Sequence, residues 1–138
     1  MAELLRFIAT HLMFLFDPGR YRIVDSRSGR PSGDGLVVIE SDSVRVRFVR
    51  DRSQMHVDIQ PCPDEGEDWF GIGVVRRWLL GESPGYDHLD ESSVAFLREN
   101  LVRIEAEWST RAGREVGMQR LRDERAARAE ELFGKPAQ

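Results

Sequence analysis

Three histidines and one cysteine are the most chemically versatile side chains of this 138-residue chain. His11, His56 and His88 are scattered along it, and Cys62 stands alone between two prolines. A tetrahedral metal site needs several such ligands at short, regular spacings, which these residues lack. The pattern therefore predicts no metal site and no cofactor, and a single cysteine excludes an internal disulfide.

His56 is the one candidate for catalysis, because Asp58 follows it by two residues in a stretch that alternates as a strand. Residues i and i+2 of a strand share a face, so the carboxylate could orient the imidazole as a general base. The same spacing is typical of a polar sheet face whose side chains pair with the next strand. We favour the polar face and keep catalysis as an alternative.

An acidic cluster follows the last predicted strand and precedes Trp69. It consists of Asp64, Glu65, Glu67 and Asp68. The cluster lacks the spaced oxygen ligands of a calcium-binding loop, so solvation explains it better than a bound cation. Residues 61–91 hold eight acids and two arginines, a net charge of −6. This charge predicts a protein partner with a basic surface, steered by the four acids and anchored by Trp69.

Arginines form a second candidate binding surface on and beyond the third predicted strand. They are Arg45, Arg47, Arg50 and Arg52. Guanidinium groups in such a cluster could receive an acidic partner or a phosphate. Asp51 and Asp58 lie close enough in sequence to neutralise part of this charge, so an ordinary exposed sheet face is the alternative.

Composition restricts the class of protein. Hydrophobic residues make up 41% and charged residues 32%, and the net charge is −4, which argues against disorder and against nucleic-acid binding. The apolar run 7–16 is too short to cross a bilayer and lacks the features of a signal peptide. We therefore expect one cytoplasmic domain over residues 1–138, with no membrane contact.

Changes of hydrophobic period predict the elements of the first half of the chain. Residues 2–16 have a helical period, with Leu5, Ile8, Leu12 and Leu15 on one stripe. Four strands follow, at residues 21–25, 36–40, 44–50 and 55–60. Two-residue turns at 41–42 and 51–52 would place Ile39 opposite Val44, Phe48 opposite Met55, Val46 opposite Val57 and Arg47 opposite His56.

Helices are predicted for the second half. The first runs from Asp68 to Leu80 with Gly81 at its C′ position, and Asp90 is the N-cap of the next. Residues 114–138 form a helical tail, which either packs on the domain or projects from it. The predicted fold is α+β: an N-terminal helix, a four-stranded antiparallel meander, then two or three helices packed on one sheet face.

Two segments resemble parts of small bacterial immunity-type proteins, which neutralise a cognate toxin. The first is the hairpin Phe48–Ile59 with its Arg-Asp-Arg turn, and the second is Trp69-Phe70-Gly71 at the opening of a helix. The resemblance spans residues 36–80 at most. It implies an intracellular, non-enzymatic binding protein and identifies no toxin and no interface residue.

These observations predict a non-enzymatic protein-binding module, an intracellular inhibitor of the immunity type. One alternative is a small-ligand-binding or weakly enzymatic domain with a pocket between sheet and helices. Another is a structural subunit that self-associates through its C-terminal helix.

Overall fold

The computed structural model describes residues 1–17, 19–29, 33–63, 68–81 and 86–134, which form an α+β fold. The helices are α1 (Ala2–His11), α2 (Ile72–Leu80), α3 (Glu91–Glu107) and α4 (Arg111–Phe133), with a short 3₁₀ helix at Met13–Phe16. The strands are β1 (Arg22–Ser28), β2 (Gly35–Glu40), β3 (Val44–Asp51), β4 (Gln54–Pro61) and β5 (Phe70–Gly71). The predicted class is confirmed, but the antiparallel sheet has five strands in sequential order rather than four.

The fifth strand corrects the sequence prediction, which assigned the chain from Asp68 onward to a helix. Phe70 and Gly71 instead pair with Ile59 and Asp58 on the outer edge of β4. Two residues are too few to show a strand period, so the alternation that identified the other strands could not reveal this one. The unpaired N–H and C=O groups of the β4 edge provide the driving force for the pairing.

Asp87 joins this sheet edge to two helices. Its Oδ1 accepts hydrogen bonds from the backbone N of Gly73, at 2.9 Å, and from Arg128 Nη1, at 3.0 Å. The first satisfies an otherwise unpaired N–H at the start of α2, and the second attaches α4. A Cβ on Gly71 would lie 2.3 Å from Asp87 Cγ, so this close approach requires glycine.

In both predicted hairpins the strand pairing differs from the predicted register by two residues: Ile39 lies opposite Val46 and not Val44, and Arg47 lies opposite Asp58 and not His56. Val46 lies opposite Ile59, and Phe48 lies opposite Val57. The turn between β3 and β4 is formed by Arg52 and Ser53. Both residues have a positive φ, 51° and 68°, as a type I′ turn requires. A shift of two residues keeps every side chain on its face, so apolar pairing alone could not distinguish the two registers.

The helices cover one face of the sheet. Phe48 and Val46 are fully buried in a core that includes Ile8 of α1, Leu97 of α3 and Trp108 after α3. Alternation along β3 therefore places Arg45 and Arg47 on the opposite face, whereas Arg50 lies on the helical side, where it pairs with Glu3 of α1.

The first helix is shorter than predicted, and its stripe differs by one residue. α1 ends at His11 because Leu12, at φ −118° and ψ 11°, leaves the helical region. Leu4 is buried while Leu5 is 48% exposed, so the buried positions recur at steps of four from Leu4.

The later helix ends follow the predicted signals. Asp90 Oδ1 accepts a hydrogen bond from Ser93 N at 2.9 Å. In return, Ser93 Oγ accepts one from Asp90 N, also at 2.9 Å, which completes a capping box. Gly81 ends α2 with φ at +71°. Both caps satisfy backbone groups that a helix leaves unpaired at its ends.

α4 packs along α2 for much of its length. Met118 and Leu121 are buried in the common core, and Arg77 of α2 bonds to both Glu124 and Glu131. Phe133 at its end is 84% exposed. The last four residues, 135–138, lie outside the described residues.

Candidate functional site

The face of the sheet opposite the helices is the candidate site, and we call it the open face. Alternation in β3 and β4 directs Arg47, Val49, His56 and Asp58 to this side. With Leu36 of β2 they line a shallow groove of about 430 Å³. Such a groove on a rigid sheet can hold a partner side chain without rearrangement of the backbone.

Arg47 occupies the middle of the open face and is held from two sides. Its Nη2 and Nε donate to Asp58 Oδ2 at 2.7 and 3.0 Å. Its guanidinium carbon lies 4.6 Å above the centre of the Trp69 ring, a cation–π geometry. Trp69 is half-buried, so part of its ring stays accessible to a partner. Because Asp58 neutralises Arg47 and holds it over the ring, the three side chains form one preorganised surface without net charge.

Arg45 belongs to a separate polar network at one end of the open face. Its Nε and Nη2 donate to Glu40 Oε2 at 3.1 and 3.0 Å, and its Nη1 donates to Gln60 Oε1 at 2.8 Å. Burial raises the pKa of the Glu40 carboxyl, but hydrogen bonds from Arg22 and Arg45 outweigh it and hold that pKa below its usual value.

Cys62 lies beside this network, with its Sγ 3.7 Å from Arg45 Nη2 and 3.6 Å from Glu40 Oε2. Burial, reinforced by the Glu40 carboxylate, raises the pKa of the Cys62 thiol. A thiol with a raised pKa is a poor nucleophile, so this environment does not activate Cys62.

The other two arginines of the predicted cluster lie away from Arg45 and Arg47. The side chain of Arg50 is only 15% exposed and pairs with Glu3 of α1 and with Asp34. Arg52 lies in the β3–β4 turn, where its backbone N donates to Asp34 Oδ1 at 3.1 Å. The structure thus distributes the four arginines over separate environments and does not assemble them into one anion site.

The acidic cluster is described only at its last member. Asp64, Glu65 and Glu67 lie outside the described residues. Asp68 pairs with Arg122 at 3.1 Å and Arg125 at 3.5 Å, both on α4. Its charge is therefore matched within the protein.

Tyr86 and His88 extend the open face, although neither was predicted to be a site residue. The backbone N of Val57 donates to Asp87 O at 3.1 Å, and Leu89 N donates to Met55 O at 2.9 Å. These bonds place the chain around residue 88 next to β4, beyond β5. They lie on either side of the His56–His88 bridge, where opposing side chains approach each other most closely.

Three rings therefore stand in a row on the open face. The ring centres of His56 and His88 are 5.6 Å apart, and those of His88 and Tyr86 are 4.6 Å apart in a stacked arrangement. His88 and Tyr86 are exposed, the latter by 44%. No local pattern predicts this juxtaposition, because it depends on the non-local pairing of β4 with the chain before α3.

The catalytic alternative required Asp58 to orient His56. Asp58 is engaged by Arg47 instead, and no hydrogen bond joins it to His56 in the described part of the chain.

Across residues 1–17, 19–29, 33–63, 68–81 and 86–134, no three metal-ligating side chains cluster. Among the helices of the same residues, none combines the length and the apolar character that a membrane span needs.

Comparison with known proteins adds no homologue: no protein-family model, curated protein or solved structure gives a significant match to this chain.

Proposed function

We propose that this protein is a non-enzymatic protein-binding module and that it contacts its partner through the open face. The observation that carries the proposal is a continuous band of side chains across the sheet. The band comprises Leu36, Val49, His56, His88 and Tyr86, and Arg47 stacked on Trp69 lies beside it.

The composition of this band favours a protein partner. Tyrosine, tryptophan and arginine dominate the residues that contribute most to protein–protein binding, and they cluster near the centre of an interface. Leu36 and Val49 add apolar surface that the helices leave uncovered. A partner that covers the band would exclude water from these groups.

Preorganisation is a second argument. Arg47 is fixed by Asp58 and Trp69 before any partner arrives, so binding costs little side-chain entropy at that position. The ion pair also removes the penalty of burying an isolated charge. A central arginine of this kind can donate its remaining N–H groups to carbonyl groups of a partner.

The acids next to Trp69 define the expected rim of the interface. Asp64, Glu65 and Glu67 directly precede Asp68, whose charge α4 already matches. The first three acids are therefore the ones we expect to attract a basic surface on the partner, which raises the association rate more than the lifetime of the complex.

We further propose that the partner is a toxin, which is what the resemblance to immunity-type proteins implies. A toxin with a basic surface around its active site would match both the acidic rim and the aromatic band. The protein would then act by occlusion and would need no catalytic group of its own.

Site-specific photocrosslinking in the native cell tests the surface. A photoreactive phenylalanine at position 86 or 49 should capture one discrete partner, because both positions lie on the band. The matched control is position 102 on α3, where Val102 is 64% exposed on the helical side. Equal capture from position 102, or none from 86 and 49, would contradict the proposal.

Mutation of the band tests the energetics once the partner is purified. Tyr86→Ala and Arg47→Ala should each weaken binding roughly tenfold or more, mostly through faster dissociation, as expected for central interface residues. Neutralising Asp64, Glu65 and Glu67 together should instead slow association and reduce its salt dependence. Unchanged affinity of the Tyr86 and Arg47 variants would place the interface elsewhere.

A further inference from the structure

A second surface lies on the helical side of the protein, along the first half of α4. A groove of about 260 Å³ runs there between α2 and α4. It is lined by Gly113, Val116 and Gly117 of α4 and by Trp78 of α2, with the exposed Glu107 and Arg120 at its rim. We call it the α4 groove.

Two glycines allow α4 to pack closely against the residues at the end of α3. A Cβ on Gly117 would lie 2.3 Å from Trp108 Nε1, and one on Gly113 would lie 2.0 Å from Glu107 O. Trp108 is itself stacked on Trp78, with ring centres 5.5 Å apart and planes 12° apart. Because Trp108 and the Glu107 carbonyl already occupy the positions where the two Cβ atoms would lie, α4 can pack this closely only with glycine at positions 113 and 117.

Val116 and the two charges at the rim have no partner in the described chain. Val116 is 54% exposed. Four arginines of α4 form ion pairs, namely Arg111, Arg122, Arg125 and Arg128, and Arg114 bonds to Trp108 O. Arg120 and Glu107 make no ion pair or hydrogen bond with the described residues, although they carry opposite charges and border the same groove.

We propose that a second copy of this chain occupies the α4 groove, with the two α4 helices antiparallel about a two-fold axis near Val116. In that arrangement the exposed Val116 of each copy packs against Val116 of the other. Arg120 is four residues from the axis, about 6 Å along the helix, so it falls beside Ala112 of the other copy. Glu107 lines the same groove as Ala112, and its carbonyl adjoins Gly113, so each Arg120 meets the Glu107 of the second copy.

Charge complementarity is the reason to choose a second copy over another protein. A two-fold interface brings the same patch together with itself, so it needs both signs of charge on one patch, on opposite sides of the axis. Glu107 and Arg120 satisfy this condition around Val116. The open face is not used, so this inference does not depend on the proposed partner-binding function.

The first test measures the mass of the wild-type protein by sedimentation equilibrium over a wide concentration range. We expect a concentration-dependent dimer. Val116→Glu should be monomeric throughout, while the control Val102→Glu, an equally exposed valine on α3, should dimerise like the wild type. A wild type that stays monomeric, or equal effects of the two substitutions, would overturn the proposal.

Charge exchange gives a sharper test of the antiparallel geometry. Glu107→Arg and Arg120→Glu should each weaken dimerisation roughly tenfold or more, because each brings like charges together twice. An equimolar mixture of the two variants should form a heterodimer, since both contacts are then attractive again. Circular dichroism and urea unfolding confirm that each variant is folded. Folded single variants that fail to associate when mixed would refute the pairing of Glu107 with Arg120.

Discussion

Different interactions determine the side-chain positions on the two faces of the sheet. On the covered face, Val46 and Phe48 lose all contact with solvent, and their positions follow from alternation and apolar burial. On the open face, Arg45 and Arg47 remain partly exposed, and specific ion pairs and ring contacts determine their positions. Burial is non-directional, whereas hydrogen bonds and ion pairs depend on geometry, so the first face is predictable from a pattern and the second is not.

The difference explains where function can be located. Any apolar residue of suitable volume maintains a buried face, so its side chains carry little specific information. The open face combines aromatic, basic and acidic groups at defined distances, which is the kind of surface another protein can recognise.

Phe48 and Val49 are adjacent residues of β3 on opposite faces, so they compare the two faces directly. Phe48→Ala should lower the free energy of unfolding by about 3–5 kcal/mol, the range for a buried aromatic side chain. Val49→Ala, at a half-buried position, should cost about 1 kcal/mol or less. Urea unfolding of both variants measures the contrast, and similar losses would show that the open face is buried as deeply as the core.

Asp87 lies where the two faces meet at the β4 edge. Asp87→Ala should cost about 2–3 kcal/mol, because it removes the acceptor for Gly73 N and the partner of Arg128, whose side chain is 15% exposed. Asp87→Asn can retain the bond to Gly73 and should cost clearly less. Thermal and urea unfolding distinguish the two variants. Equal losses would mean that the charge matters and the helix cap does not.

Gly117 tests how tightly α4 packs on the covered side. Alanine normally favours a helix over glycine by about 1 kcal/mol, but here the added Cβ meets Trp108, so Gly117→Ala should destabilise by about 1–2 kcal/mol. The control is Ala129→Gly at an exposed position of the same helix, where the propensity loss alone should appear. A stabilised Gly117→Ala variant would show that α4 is free to move away from Trp108.

Acid sensitivity is the smallest expected effect and concerns the open face alone. The pKa of Glu40 is held below its ordinary value of 4.5, so the unfolded chain binds this proton more readily than the folded protein. Its stabilising contribution is present above about pH 4.5 and is lost as the pH falls through the folded-state pKa. Glu40→Gln should therefore flatten the loss of stability below pH 4.5, measured by urea unfolding at several pH values. An unchanged acid profile would exclude Glu40 from this role.

The sequence predicted most elements and the assignment of sheet faces, because each depends on a local period. The predicted register of β3 against β4 was wrong by two residues, since Arg52 and Ser53 are not residues typical of a type I′ turn. β5 was missed because two residues at the edge of β4 carry no period.

The candidate site was predicted in part. Arg47 and Trp69 were both singled out, but for different surfaces, and their stacking depends on how β5 follows β4. His88 and Tyr86 could not be connected to His56 because a non-local strand pairing brings them together. Sequence patterns therefore identify residues of suitable chemistry, but only the tertiary structure shows which of these residues contact one another.

Two separate segments, Phe70–Gly71 and the chain around His88, cover the outer edge of β4, and this affects how the chain folds during synthesis. The first four strands are joined in sequence, so each can pair with its predecessor soon after it emerges from the ribosome. The outer edge of β4 must wait for Phe70–Gly71 and for the segment around His88, with α2 between them. During that interval it is an open strand edge, which can pair with other chains. Substitutions that delay α2 should therefore lower the yield of folded protein through aggregation during synthesis, even where the finished protein is no less stable.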